Sequence, residues 1–128
     1  MATWDDVRRI CLALPATTET TNGWGQVTWL VRGKGFAWER PLRQKDLAEL
    51  GYAAPTGPVL AAYVPDEGAK RALIAEDPAV FFTIRHFDGF RAVLTRLDLL
   101  DEPTLTELAG EAWACRAPKK LLAEHRDR

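Results

Sequence analysis

The chain has 128 residues, 47% of them hydrophobic and 27% charged, with a formal net charge of −1. This composition is that of one globular domain, and it excludes a fibrous or largely disordered protein. The 17 basic and 18 acidic residues are interspersed along the chain. Because dedicated nucleic-acid binders usually carry a clear basic excess, such a role would require basic residues gathered on one face.

The N-terminal segment and the cysteines bear on the cellular compartment. The segment MATWDDVRR lacks the basic start and apolar run of a secretory signal, and no later window is long and apolar enough to span a membrane. We therefore expect a cytoplasmic protein without a membrane partner. Cys11 and Cys115 lie in helical apolar patterns rather than in a CxxC pair, which predicts reduced, buried thiols and disfavours a disulfide.

The N-terminal residues predict a helix followed by a loop. Thr3 and Asp6 have the spacing of a capping box, and apolar residues then recur at helical spacing until Pro15. Residues 16–25 have no periodicity and are rich in turn-forming residues, so we predict a polar loop there.

Two β-type runs follow and predict a hairpin. The runs are QVTWLVR and GFAWER, and the Gly33-Lys34 pair between them suits a type II′ turn. In that register Trp29 faces Trp38 across the two strands. We expect these two rings to belong to the core rather than to a binding platform, since large aromatic side chains dominate core packing.

The middle of the chain predicts a short helix, a strand and a second helix. Residues 43–51 suit the short helix, and residues 58–64 are apolar on both faces, as a central strand would be. Residues 66–77 predict a helix with acidic residues in its first turn and Pro78 at its end.

Residues 80–97 predict a second hairpin, because Asp88-Gly89 between two apolar runs is a strong turn signal. Alternation then predicts a helix-covered face that carries Val80, Phe82, Ile84, His86, Arg91 and Val93, with His86 and Arg91 at its rim. The opposite face is predicted to carry aromatic residues and arginines, namely Phe81, Arg85, Phe87, Phe90 and Arg96.

The last part of the chain predicts a helix and a tail. Asp101 suits the cap of a helix that ends at Pro118, and a short basic tail follows. Without the short helix over residues 43–51, the predicted order is α, β, β, β, α, β, β, α. This order indicates an α+β two-layer sandwich, in which an antiparallel sheet of about five strands is covered by helices on one face.

The motifs of common enzyme classes are absent from the sequence. There is no serine, no GxGxxG and no GxxxxGK[ST], and His86 and His125 are isolated from one another and from other metal ligands. A nucleophile built from Cys11 or Cys115 with His86 is disfavoured, because both thiols lie in apolar helical patterns. The acidic pairs lie at predicted helix starts, where negative charge is favourable, so they do not indicate catalytic carboxylates. We therefore expect a protein that is not an enzyme and that uses no cofactor or metal.

Basic and aromatic residues near the hairpin tips are the candidates for binding. Lysine and arginine contact phosphates, and aromatic rings stack on bases. The candidate residues are Arg32, Lys34, Arg40, Arg85, His86, Phe87, Phe90, Arg91, Lys119 and Lys120. The alternative is that Phe87 and Phe90 pack the turn against a neighbouring loop and that the cations are solvated surface charge.

Four segments together resemble the MmcQ/YjbR family of small bacterial proteins. They are TWDDVRRICLALP, WLVRGKGFAWERPL, DPAVFFTIRHFDGF and AWACRAPKKL, and they cover nearly the whole chain in order. The resemblance implies a two-layer sheet similar to secretion chaperones and frataxin. It also implies DNA binding, because the family's paired hairpins resemble wings. The family often places proline before the histidine and after the second aromatic residue of the hairpin, where this chain has Arg85 and Arg91.

Two functions remain as hypotheses from the sequence. The first is a non-catalytic protein that binds DNA through two hairpin wings and the basic residues near them. The second is a module that binds a protein or peptide through the aromatic sheet face or an exposed strand edge.

Overall fold

The structure, a computed structural model, describes residues 1–126 as five α-helices packed with one six-stranded antiparallel sheet. The helices are α1 (Trp4–Leu12), α2 (Gln44–Leu50), α3 (Glu67–Glu76), α4 (Glu102–Arg116) and α5 (Lys119–Arg126). The strands are β1 (Thr17–Thr21), β2 (Val27–Val31), β3 (Lys34–Glu39), β4 (Val59–Tyr63), β5 (Phe81–Phe82) and β6 (Ala92–Arg96). They lie in the order β1-β2-β3-β4-β6-β5, and the predicted α+β class is confirmed.

The larger core lies between one face of the sheet and the helices α1 and α4. Val7 of α1, Trp113 of α4 and Trp29 of β2 are all buried there. A smaller core lies on the other face, where Leu42 and Leu50 pack on buried residues of the last three strands in the sheet order. Since Leu50 is the last residue of α2, this helix covers part of the face that the sequence predicted to have no helix.

Local sequence signals set most helix ends as predicted. Thr3 and Asp6 form a reciprocal capping box, and the carboxylates of Asp66 and Asp101 accept backbone N–H groups at the starts of α3 and α4. The strand predicted over residues 58–64 is β4, and its position inside the sheet agrees with its apolar character on both faces.

The prediction of a loop over residues 16–25 is wrong, because β1 occupies part of it. β1 pairs antiparallel with β2, with Thr17 opposite Val31 and Thr21 opposite Val27. Threonine is β-branched and favours extended backbone, which explains how a polar segment forms an edge strand. The sheet therefore has one strand more than the predicted number.

The first hairpin forms, but with a different turn and register. Its turn residues are Arg32 and Gly33, with φ of 50° and 81°, rather than Gly33-Lys34. Two positive φ angles are the mark of a type I′ turn, not the predicted type II′ turn. A bulge at Phe36 then shifts the register, so Trp29 lies opposite Ala37 and the predicted pairing of Trp29 with Trp38 is wrong. Trp29 is buried in the larger core, whereas Trp38 packs beside the smaller one.

The second hairpin is much shorter than predicted and is not a wing. β5 contains only Phe81 and Phe82, and a 3₁₀-helix over Arg85–Phe87 replaces the rest of the predicted strand. The observed pairs are Phe81 with Thr95 and Phe82 with Leu94. This register places Phe81 in the larger core and Phe82 in the smaller core, the reverse of the predicted faces.

The predicted basic tail is helical as far as the structure describes it. Helix α5 buries Leu121 in the larger core, and the His125 ring lies 4.8 Å from the Trp113 ring. The two cysteines differ from one another: Cys11 is buried as predicted, whereas Cys115 is exposed, so its prediction as a core residue is wrong. No helix within residues 1–126 is long and apolar enough to cross a membrane.

Candidate functional site

Four aromatic side chains meet on the sheet face that α2 partly covers. We call Trp38, Tyr63, Phe87 and Phe90 the aromatic cluster. The ring centroids of Trp38 and Tyr63 are 5.7 Å apart, and the Phe90 ring lies 5.5 Å from Tyr63 and 5.4 Å from Phe87 in edge-to-face contacts. Such contacts favour a fixed arrangement of rings. Phe87 is 3% exposed and Phe90 is 37% exposed, so the cluster has a buried floor and an accessible edge.

The 3₁₀-helix brings Phe87 and Phe90 onto the sheet. The backbone N–H of Phe87 donates to the carbonyl of Ile84, and that of Phe90 donates to the carbonyl of Phe87. The carboxylate of Glu49 on α2 accepts the backbone N–H of Arg85 at 2.9 Å. The segment that local sequence signals predicted as a hairpin is therefore fixed on the sheet by its hydrogen bond to α2 and by the buried ring of Phe87.

Arg40 joins the aromatic cluster to α2. Its guanidinium lies 5.7 Å from the centre of the Phe87 ring, donates to the carbonyl of Pro41, and forms an ion pair with Asp46 at 3.4 Å. Arg40 is only 9% exposed. A buried arginine paired in this way fixes the chain between β3 and α2, and it is less available to a ligand than the sequence suggested.

Beside the cluster runs a surface depression in two parts, which we call the basic groove. The first part, about 360 Å³, lies between the β1–β2 turn and the segment after β3, and the second, about 820 Å³, lies against α2 and the 3₁₀-helix. Arg43 lines both parts. The aromatic and basic side chains that line it, together with a histidine, are Trp24, Trp38, Arg40, Arg43, Lys45, Arg85 and His86.

The charges of the basic groove are only partly neutralised. Within residues 1–126, Arg43, Lys45 and Arg85 form no side-chain ion pair. Asp46 is engaged by Arg40, and Glu49 accepts a backbone N–H. Burial raises the pKa of Glu39, a further acid at the groove's edge. The groove thus holds three cationic groups without an ion-pair partner among the described residues, and one of them, Arg43, shares the first part with the indole ring of Trp24, which is 85% exposed.

The structure divides the other predicted residues among three further places. Arg32 and Lys34 are exposed at the β2–β3 turn, at the opposite end of β3 from Arg40. Lys119 and Lys120 are exposed in the first turn of α5. Arg91 is exposed and lines a separate pocket with residues of α4 and α5. The ten predicted residues therefore do not form one surface.

Sequence reasoning missed several residues that shape these surfaces. Lys70 lies in the helix predicted over residues 66–77, where a lysine beside apolar helix positions is a usable signal for a buried contact. Trp24 lies in the segment that the sequence predicted to be a loop, and it was not among the predicted binding residues. Arg116 and Arg126 gave no signal, because their meeting with Arg91 depends on how α4 and α5 pack.

Comparisons with known proteins identify the family of this chain. The model of the family described as YjbR matches residues 12–115. The chain belongs to the YjbR family. Uncharacterized proteins of Mycobacterium bovis and Mycobacterium tuberculosis are each 48% identical to it over 125 residues, covering 95% of this chain and 94% of theirs. No solved structure gives a significant match.

The YjbR match includes one candidate binding surface of this family member and leaves out another. The matched residues include Trp24, Arg43 and Arg85, so the whole basic groove falls inside the match. The match ends at Cys115, before α5 begins. Lys119 and Lys120, which the sequence also suggested as binding residues, lie beyond it.

Proposed function

We propose that this YjbR family member binds single-stranded nucleic acid along the basic groove. The observation that carries the proposal is the position of Arg43, which lines both parts of the groove. Because of it, the part of the groove that holds the exposed ring of Trp24 adjoins the part that holds the cation of Arg85. The binding surface proposed here is therefore the groove, and it replaces the two hairpin wings expected from the sequence.

The groove supplies the two interactions that an unpaired strand needs. Every base has a face that stacks on an aromatic ring, and Trp24 presents such a ring to solvent, while Trp38 lines the same part of the groove. The guanidinium groups of Arg43 and Arg85 and the ammonium of Lys45 contact phosphates. Bases in a duplex are already stacked on one another, so this arrangement favours single strands.

The experiment is a fluorescence anisotropy titration of a labelled single-stranded oligonucleotide, first at about 50 mM salt, where phosphate contacts are strongest. Three phosphate contacts predict that log Kobs falls against log salt with a slope of about −2, from roughly −0.7 per contact on single strands. Trp24→Ala removes one stacked base and is expected to weaken binding by about 5- to 150-fold, or 1 to 3 kcal/mol.

Matched controls separate the groove from general charge effects. Arg71 is exposed on α3 and lines neither part of the groove, so Arg71→Ala removes the same charge as Arg43→Ala and should leave affinity unchanged. Tyr52 is fully exposed outside the groove and serves as the aromatic control for Trp24. The proposal fails if neither DNA nor RNA binds at low salt, or if Arg71→Ala weakens binding as much as Arg43→Ala.

A second candidate function rests on strand β1, which the sequence did not predict. Within residues 1–126, β1 pairs only with β2, so its outer edge is open, and four of its five residues are threonines. An open edge of this kind accepts an extended peptide as an added strand. Capture of a lysate protein that survives nuclease treatment and is lost in the Thr18→Lys/Thr20→Lys variant would favour this function over nucleic-acid binding.

A further inference from the structure

A pocket of about 290 Å³ lies between the C-terminal end of β4 and the helices α4 and α5. We call it the arginine pocket, because Arg91, Arg116 and Arg126 all line it. None of these three residues lines the basic groove. The arginine pocket is therefore separate from the surface proposed to bind nucleic acid, and a ligand could occupy it whether or not the groove binds a strand.

The arginine pocket has an excess of positive charge that the protein does not neutralise. Three arginines line it, against one lining carboxylate, that of Glu111, and Asp66 lies near enough to act on Cys115. Within residues 1–126, none of the three arginines forms an ion pair. Partial desolvation of the sulfur, followed by the charges of Glu111 and Asp66, raises the pKa of Cys115, so this thiol is neutral near pH 7 and adds no negative charge.

Arg116 is held in place by the protein and still has donors to spare. Its Nε donates to the carbonyl of Gly35 at 3.2 Å, and its guanidinium lies 4.5 Å from the centre of the Tyr63 ring. Within residues 1–126, only the Nε of Arg116 has a hydrogen-bond acceptor, so its two terminal NH₂ groups remain free to donate to a ligand. A guanidinium fixed in this way loses little side-chain entropy when it binds a ligand.

The rest of the pocket wall is apolar, which bears on the kind of ligand. Leu122, Ala114 and Val64 contribute to this wall. A volume of about 290 Å³ is at the lower end for small-molecule sites. Three guanidinium groups offer more donors than the two oxygens of a carboxylate would fill, whereas a phosphate monoester presents three terminal oxygens and up to two charges.

We propose that the arginine pocket binds a small organic phosphate, whose phosphate group contacts Arg91, Arg116 and Arg126 and whose organic part lies against Leu122. The probe for the test is phenyl phosphate, which joins one ring to one phosphate. Cys115 lines the same pocket and is exposed, whereas Cys11 is buried. The rate at which N-ethylmaleimide modifies Cys115 therefore reports whether the pocket is occupied.

The proposal predicts that phenyl phosphate slows modification of Cys115 in a saturable manner, while phenol and sodium chloride at equal ionic strength do not. Arg91 and Arg126 are exposed, so the Arg91→Ala/Arg126→Ala variant should fold. Losing two charged donors should raise the half-protecting concentration by about tenfold or more. Arg71→Ala, on α3 and outside the pocket, should leave that concentration unchanged.

Three outcomes would overturn the proposal. The first is no protection at about 10 mM phenyl phosphate, ten times a millimolar dissociation constant. The second is equal protection by benzoate, which would contradict the preference for phosphate. The third is equal protection by inorganic phosphate, which would contradict the role of the apolar wall. Failure of the basic groove to bind nucleic acid would affect none of these results.

Discussion

The ammonium group of Lys70 donates to the carbonyl oxygen of Phe87 at 2.7 Å and to that of Phe90 at 3.0 Å. Lys70 is only 1% exposed, and Glu67, its neighbour on α3, has a carboxylate oxygen 3.7 Å away. One buried cation on α3 thus fixes the backbone that carries two rings of the aromatic cluster. The 3₁₀-helix forms where a hairpin was predicted because these tertiary bonds stabilise it.

Replacing Lys70 with methionine should loosen this segment. The Lys70→Met substitution keeps the apolar stem but leaves two carbonyl groups without their donor, at an expected cost of about 1 to 3 kcal/mol in the free energy of unfolding. Urea denaturation measures the loss, and hydrogen exchange should accelerate in residues 84–92. Arg71→Met, on an exposed neighbour, is the control, and an equal loss there would contradict the role of Lys70.

Phe87 and Phe90 should differ in what they contribute to stability. Phe87 fills the smaller core, so Phe87→Ala is expected to cost about 3 to 5 kcal/mol. Phe90 lies at the accessible edge, and Phe90→Ala should cost about 1 kcal/mol. Chemical denaturation of the two variants under the same conditions measures the difference. Equal losses would show that the cluster has no buried floor.

The β2–β3 turn should become more stable when Arg32 is replaced by asparagine. Arg32 has a positive φ of 50°, a backbone conformation that costs most L-residues roughly 1 kcal/mol or more and that asparagine tolerates better. With Gly33 it would then form the favoured residue pair of a type I′ turn. We expect Arg32→Asn to raise the free energy of unfolding by about 0.5 to 1 kcal/mol. A decrease on thermal or urea denaturation would argue against the turn described here.

The two cysteines should react with thiol reagents at very different rates. Burial raises the pKa of Cys11 to about 12, whereas Cys115 is exposed and has a more modestly raised pKa. Since the thiolate is the reactive form, modification of Cys115 should accelerate as pH rises from neutral toward about 9. Mass spectrometry should find one modified cysteine in the folded protein and two after denaturation. Modification of Cys11 in the folded state would contradict its burial.

Acid should destabilise the helix starts. Hydrogen bonds from the backbone N–H of Thr3 lower the pKa of Asp6, and hydrogen bonds from Thr104 lower that of Asp101. A carboxyl group whose pKa is lower in the folded state stabilises the protein above its unfolded pKa, and this stabilisation is lost as pH falls through the folded value. Tm should therefore fall between about pH 4 and pH 2. The fall should be smaller in Asp101→Asn, whose amide caps without titrating; an unchanged fall would exclude Asp101 as a cause.

Local signals of the sequence determined much of this protein. Capping residues set the starts of α1, α3 and α4. The run of residues 58–64, which is apolar on both faces, became a central strand. The four segments quoted above indicated the family. These features depend on neighbours a few residues apart, whose interactions are the same in any fold.

Tertiary structure decided the turns, the faces and the candidate sites. The Asp88-Gly89 signal gave way to a 3₁₀-helix because Lys70 and Glu49, distant in sequence, bind its backbone. One bulge at Phe36 separated Trp38 from Trp29, because strand faces alternate and a single extra residue reverses them. The ten predicted binding residues divided among separate surfaces, because the elements that carry them pack at different places in the fold. Residue type determines what a side chain can bind, but only the packing of helices on the sheet determines which side chains meet.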